Sequence, residues 1–150
     1  KLKEAGNLTT VDVTNGTIDS GQTGVVMDWT YNQASYQKSL KAKGVNWKFK
    51  TFKNAQVVSY YNQAINKDAP HPAAARLWEE YLYTADAQNL WFKGGANPVL
   101  LDSMKKDGAV DQTTLKNALT IDGDPVSYTN EDSTRITTWL QDNWDKTIGN

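Results

Sequence analysis

The sequence contains no cysteine and only one histidine. The absence of cysteine excludes disulfide bonds, thiolate metal sites and cysteine nucleophiles. A Ser-His-Asp triad or a histidine-based metal site would have to use His71, which lies between Pro70 and Pro72. Because a general base needs a partner that orients it, we interpret His71 as a loop residue just before a helix. We therefore expect no catalytic residue, metal site or cofactor.

Strong charge and long apolar runs are also missing. The 150 residues carry 16 basic and 17 acidic side chains, a formal net charge of -1. This balance argues against nucleic acid as a partner, since phosphate binding is usually carried by a basic surface. No apolar run approaches the roughly 18 residues that a membrane-spanning helix needs. With 22% charged and 39% hydrophobic residues, the composition is that of an ordinary globular domain.

Aromatic residues are abundant instead, with six tryptophans and seven tyrosines. At this density aromatic side chains either fill a core or line a binding site. We expect most of them to be core residues and a few to face a ligand.

Start and stop signals predict a series of helices. One helix ends at Gly6, and one helical turn lies within "TNGTIDSGQ". A longer helix in "NQASYQKSLKAKG" ends at Gly44. Later helices are predicted after Pro72, after Thr84, around 102–106, after Asp111, and at the C-terminal end around Trp139.

Three stretches have the pattern of β-strands. "TGVVMDW" is a short apolar run, "VNWKFKTF" alternates between apolar and polar residues, and "AQVVSYYNQAI" is rich in β-branched and aromatic residues. Strands that alternate with helices imply an α/β architecture.

The segment after Pro72 has a full apolar stripe at helical spacing, formed by Ala74, Leu77, Trp78, Tyr81 and Leu82. We expect this stripe to be core. Trp78, Leu82, Leu90 and Trp139 should then be buried, and Glu79, Glu80 and Lys93 should be exposed.

The order of these motifs resembles a known family. "VVMDWTYN", a helix, two strands ending in "INKDAPHP", then "AAARLWEEYLYTADAQNLW" and "GGANPVLLDSM" follow one another between about Leu2 and Met104. The combination looks like the C-terminal part of an extracytoplasmic solute-binding protein of an ABC importer, in the branch that includes polyamine, iron and organophosphonate binders. The resemblance implies a periplasmic-binding-protein-like (type II) fold, with two α/β lobes and a ligand between them.

We find no counterpart of the N-terminal half of that fold, so we expect a truncated lobe whose helices pack on a small mixed sheet. The resemblance assigns residues 1–55 to part of a second lobe, 56–98 to a crossover strand and first-lobe helices, and 99–150 to a C-terminal helical segment. A truncated lobe should expose apolar surface near "VVSYYNQAI". We expect this surface to pair with a second copy or with a chain that supplies the missing half.

The resemblance also implies a function without catalysis. The protein would capture a small, cationic solute outside the cytoplasmic membrane, in the periplasm or at the cell surface with a membrane anchor, and would deliver it to an ABC permease. Two alternatives remain open. One is a structural or interaction domain derived from such a protein. The other is a carbohydrate-active enzyme that uses Glu79, Glu80 and Asp28.

Candidate ligand residues cluster in "DWTYN". Asp28 would pair with a cation, while Trp29 or Tyr31 would offer an aromatic face. Ligands of open α/β sheets bind at the carboxyl ends of strands, where this stretch is predicted to lie. The structural alternative is that Trp29 packs under the following helix and Asp28 caps it.

A second pair of candidates is Tyr60 and Tyr61. Neighbouring residues of a strand point to opposite faces, so one of them should face the ligand and the other the core. Paired tyrosines bind iron in relatives, but the pair matches that pattern poorly, and we favour an organic cation.

Overall fold

The computed structural model describes residues 2–119, 121 and 123–149. Contacts between residues divide the chain into two units. The first comprises residues 1–27, 50–60 and 121–150, and the second comprises residues 28–49 and 61–120.

The described residues form seven α-helices, two very short strands and a final π-helical turn at Asp145–Gly149. The helices are α1 (Asn15–Asp19), α2 (Thr30–Ala42), α3 (Pro72–Leu82), α4 (Ala85–Lys93), α5 (Leu101–Lys106), α6 (Gln112–Asn117) and α7 (Asn130–Trp144). The strands are β1 (Val57–Val58) and β2 (Val126–Ser127). No helix in the described part of the chain is both long enough and apolar enough to cross a membrane.

Local signals account for the helix ends. The side chains of Thr84, Asp111 and Thr129 each accept a hydrogen bond from a backbone N–H in the first turn of α4, α6 and α7. Pro72 occupies the first turn of α3, where its missing N–H costs little. Gly44 follows α2 with φ of 80°, a left-handed conformation that favours glycine. The helices predicted from these signals are confirmed, but the helix predicted to end at Gly6 is wrong, because residues 2–6 form only turns.

The strand predictions are largely wrong. "TGVVMDW" and "VNWKFKTF" form no ladder among the described residues, and "AQVVSYYNQAI" keeps only Val57 and Val58. These residues pair in parallel with Val126 and Ser127, so the sheet of the first unit is parallel rather than mixed. A strand is stable only when its backbone groups find a partner, and the described chain supplies very few.

The core of the second unit lies between α4, α5 and α6. Phe92, Met104 and Val110 are each 4% exposed and form one cluster. Partly buried apolar residues surround it: Ala85, Leu100, Leu101, Ala109, Leu115 and Ala118. Leu40 of α2 is fully buried.

The apolar stripe of α3 is not core. Leu82 is buried, but Leu77 is 69% exposed, Trp78 is 58% exposed and Tyr81 is 40% exposed. Leu90 and Trp139 are also more than half exposed, so their predicted burial is wrong. Helix α3 packs on α4, and the described residues of its own unit contain no sheet for its outer face to cover. Glu80 and Lys93 are exposed as predicted, whereas Glu79 is half-buried.

Candidate functional site

The "DWTYN" stretch lies at the start of α2 and not at the end of a strand. Trp29 is the residue before the helix, with an extended backbone, and Thr30 begins the first turn. The expectation that a sheet edge presents these residues is therefore wrong. Their positions are set by the helix start, where the first N–H groups lack partners within the helix.

The Asp28 carboxylate is held by three hydrogen bonds. Its Oδ1 accepts from the backbone N–H of Trp29 at 2.7 Å and from Nδ2 of Asn32 at 3.0 Å. Its Oδ2 accepts from Nε2 of Gln33 at 2.8 Å. Asp28 thus gathers donors at the start of α2 while remaining exposed, although α2 has no side-chain cap hydrogen bond.

Gln33 connects Asp28 to a tryptophan from a distant part of the chain. It is 8% exposed, and its Oε1 accepts a hydrogen bond from Nε1 of Trp47 at 2.8 Å. An indole N–H can only donate and a carboxylate can only accept, so the Gln33 amide has one orientation that satisfies both neighbours. Gln33 therefore fixes the direction of the Asp28 carboxylate.

Tyr31 and Tyr61 meet although they are 30 residues apart. Their hydroxyl oxygens are 3.4 Å from each other. The pKa of Tyr31 is raised, first by the hydrogen bond to Tyr61, then by desolvation, and also by the negative charge of Asp28. Tyr31 therefore keeps its proton at neutral pH, and its phenol group lies near the Asp28 carboxylate.

The end of α4 packs closely on the first turns of α2. Gly95 has φ of 93°, and a Cβ at this position would lie 3.2 Å from the carbonyl oxygen of Tyr31 and 3.0 Å from the Cβ of Ala34. Only glycine fits such an approach without a shift of the neighbouring backbone. The contact places the first turns of α2 against the segment that follows α4.

Three of the predicted site residues have much of their side-chain surface open to solvent. Trp29 is 49% exposed. Tyr60 is 61% exposed and Tyr61 is 84% exposed, so the prediction that one member of this pair is core is wrong. The boundary between the two units falls between Tyr60 and Tyr61, and Tyr60 belongs to the first unit.

Two cavities lie elsewhere in the second unit. A cavity of about 150 Å³ is lined by the 63–66 segment and by Trp78 and Glu79 of α3. A more open one of about 430 Å³ is lined by residues that include Asp86, Lys93 and Asp111. Neither is lined by any of the five predicted site residues. In the second unit, Asp28, Trp29 and Tyr61 are exposed and Tyr31 is half-buried, so the candidate site there is an open surface.

The described residues contain no group of three or more histidine, cysteine, aspartate or glutamate side chains able to hold a metal ion. His71 is exposed and directly precedes α3, where the sequence predicted it.

Residues 1–120 match the family model described as bacterial extracellular solute-binding protein. The chain belongs to this family. No curated protein and no solved structure matches it.

Membership of the solute-binding family confirms the broader part of the resemblance. The protein is an extracytoplasmic solute-binding protein and not an enzyme. The match extends beyond Met104, where the resemblance in the sequence became vague. A helix-rich chain with a small sheet fits an α/β member of this family.

Sequence reasoning missed three residues of the site in this solute-binding chain: Asn32, Gln33 and Trp47. Asn32 follows Asp28 by four positions, a spacing that places two residues on one face of a helix. That signal was available in the sequence. Trp47 is one of the apolar residues of the alternating segment "VNWKFKTF", but its contact with Gln33 depends on tertiary structure.

Proposed function

We propose that the protein is the solute-binding component of an ABC import system and that it captures a small, cationic solute. The observation that carries this proposal is the oriented Asp28 carboxylate. It lies near the Tyr31 phenol and has no lysine or arginine in ion-pair contact among the described residues. An exposed carboxylate that is held by hydrogen bonds but has no cationic side chain beside it among the described residues suits a soluble cation.

The aromatic side chains complete the proposed site. Trp29 directly follows Asp28 and leaves about half of its surface open to solvent. Tyr31 and Tyr61 contribute hydroxyl groups. Tyr60 belongs to the first unit and stays a separate candidate. An indole face attracts a cation with about 0.5–2 kcal/mol, depending on how far the contact is desolvated.

The wider assignment rests on the resemblance. We place the chain in the branch that includes polyamine, iron and organophosphonate binders, with a type II fold and an ABC permease as its partner. Residues 1–55 would belong to the second lobe, 56–98 to the crossover strand and first-lobe helices, and 99–150 to the C-terminal helices. In a Gram-positive cell the protein would be anchored to the membrane.

A matched pair of tryptophan variants tests the ligand role. Trp29 and Trp144 are both 49% exposed, so Trp144→Ala controls for the general loss of an exposed indole. Trp29→Ala should weaken binding of an organic cation by about 1–2 kcal/mol, measured by calorimetric titration. Trp144→Ala should leave affinity unchanged. Loss of thermal stability in Trp29→Ala with unchanged affinity would instead support the structural reading of Trp29.

The Tyr31–Tyr61 contact favours ferric iron as a second candidate. Two phenol oxygens at 3.4 Å could bind one hard cation after losing their protons, although the raised pKa of Tyr31 opposes that loss. Iron binding should release protons and produce a visible phenolate-to-iron absorption band. Tyr31→Phe and Tyr61→Phe should each abolish the band, whereas binding of an organic cation should produce none.

A further inference from the structure

The hydrogen bonds of Asp28 leave its two oxygens in different states. A carboxylate has about four acceptor positions, two on each oxygen. Oδ1 already accepts from the Trp29 backbone and from Asn32, whereas Oδ2 accepts only from Gln33. Oδ1 is therefore saturated, and Oδ2 has one position open.

This asymmetry separates two classes of organic cation. A guanidinium binds a carboxylate best through two parallel N–H bonds, one to each oxygen. That arrangement needs a vacant position on Oδ1. An ammonium is a compact charge that donates through separate N–H groups, so the single vacancy on Oδ2 is sufficient for it.

The carboxylate cannot easily turn to exchange its oxygens. Gln33 is buried and is itself held by the Trp47 indole, and its Nε2 points at Oδ2. Asn32 lies on the first turn of α2 and holds Oδ1 from the other side. A rotation of Asp28 would break at least one bond to each oxygen, so the open position stays on Oδ2.

We propose that the site selects a primary ammonium over a guanidinium because Oδ1 of Asp28 is saturated and Oδ2 is not. The inference rests on the proposed function, since it assumes that the cation is bound at Asp28. Beyond the proposed function, it names the cationic group of the solute, an ammonium, and it names Asn32 as the residue whose hydrogen bond to Oδ1 disfavours a guanidinium.

Two probes with the same four-carbon chain test the selectivity: 1,4-diaminobutane and its bis-guanidino analogue. Each is titrated calorimetrically. The unsubstituted chain should bind the diamine at least about tenfold more tightly, the scale of one charge-assisted hydrogen bond. Asp28→Asn should abolish binding of both probes.

Two variants distinguish the two oxygens. Asn32→Ala opens a position on Oδ1, so the two affinities should come to within about threefold of each other. Gln33→Met opens a second position on Oδ2 only, so the preference for the diamine should persist even if both affinities fall. Circular dichroism of each variant checks that α2 is retained.

The outcomes distinguish failure of the ammonium selectivity from failure of the proposed cation site at Asp28. Equal affinities in the unsubstituted chain, or a preference that survives Asn32→Ala in a folded variant, would overturn the selectivity and leave the cation site intact. Failure of both probes to bind, or binding that survives Asp28→Asn, would overturn the selectivity together with the proposed site.

Discussion

Replacement of Phe92 by alanine should be the most damaging single change in α4. The ring is 4% exposed and packs with Met104 and Val110, which are equally buried. Truncation of a buried phenylalanine to alanine costs about 3–5 kcal/mol, because transfer free energy is lost and a cavity remains. The free energy of unfolding of a domain is about 5–15 kcal/mol in total, so the loss of this one ring should remove a large part of it.

The neighbouring Trp91 provides the matched control. It is larger and lies on the same helix, but it is 51% exposed. Trp91→Ala should cost no more than about 1 kcal/mol, since exposed side chains rarely contribute more. Hydrophobic size alone would predict the opposite order.

Urea denaturation followed by circular dichroism measures both free energies. With a slope of about 2 kcal/mol per molar urea, Phe92→Ala should lower the midpoint by roughly 2 M and Trp91→Ala by less than about 0.5 M. Equal losses in the two variants would show that the α4–α6 cluster is not the core of this unit.

Three further results are expected. Tyr61→Phe should lower the pKa of Tyr31 in an ultraviolet alkaline titration, because the Tyr61 hydroxyl is the main cause of its raised pKa; an unchanged titration would contradict the contact. The pKa of Asp111 is lowered, chiefly by hydrogen bonds from the backbone and side chain of Thr114. The ionised Asp111 carboxylate therefore stabilises the folded state above its unfolded pKa of about 4. This contribution is lost as the pH falls through the folded pKa. Asp111→Asn keeps an acceptor but cannot titrate, so denaturation midpoints measured from about pH 5 to pH 2 should fall less steeply than in the unsubstituted chain, and equal slopes would refute this account. Trp78→Glu should reduce self-association through the exposed face of α3, measured by light scattering at several concentrations, and a chain that is monomeric throughout would argue against an association surface.

The sequence by itself determined the helices. Thr84 and Asp111 cap α4 and α6 through hydrogen bonds that span only three residues, and Gly44 ends α2 through its own backbone conformation. Such signals need no distant partner, so they can be read without a structure. The family resemblance was readable for the same reason, since it depends on the order of local motifs.

Tertiary structure alone decided the strands, the buried faces and the site. A strand exists only where another segment pairs with it, and "VNWKFKTF" kept its alternating burial without finding that partner. The stripe of α3 was correctly located on a helix, but burial depends on what lies opposite it. The Gln33–Trp47 bond and the Tyr31–Tyr61 contact join residues 14 and 30 positions apart, which periodicity cannot bring together.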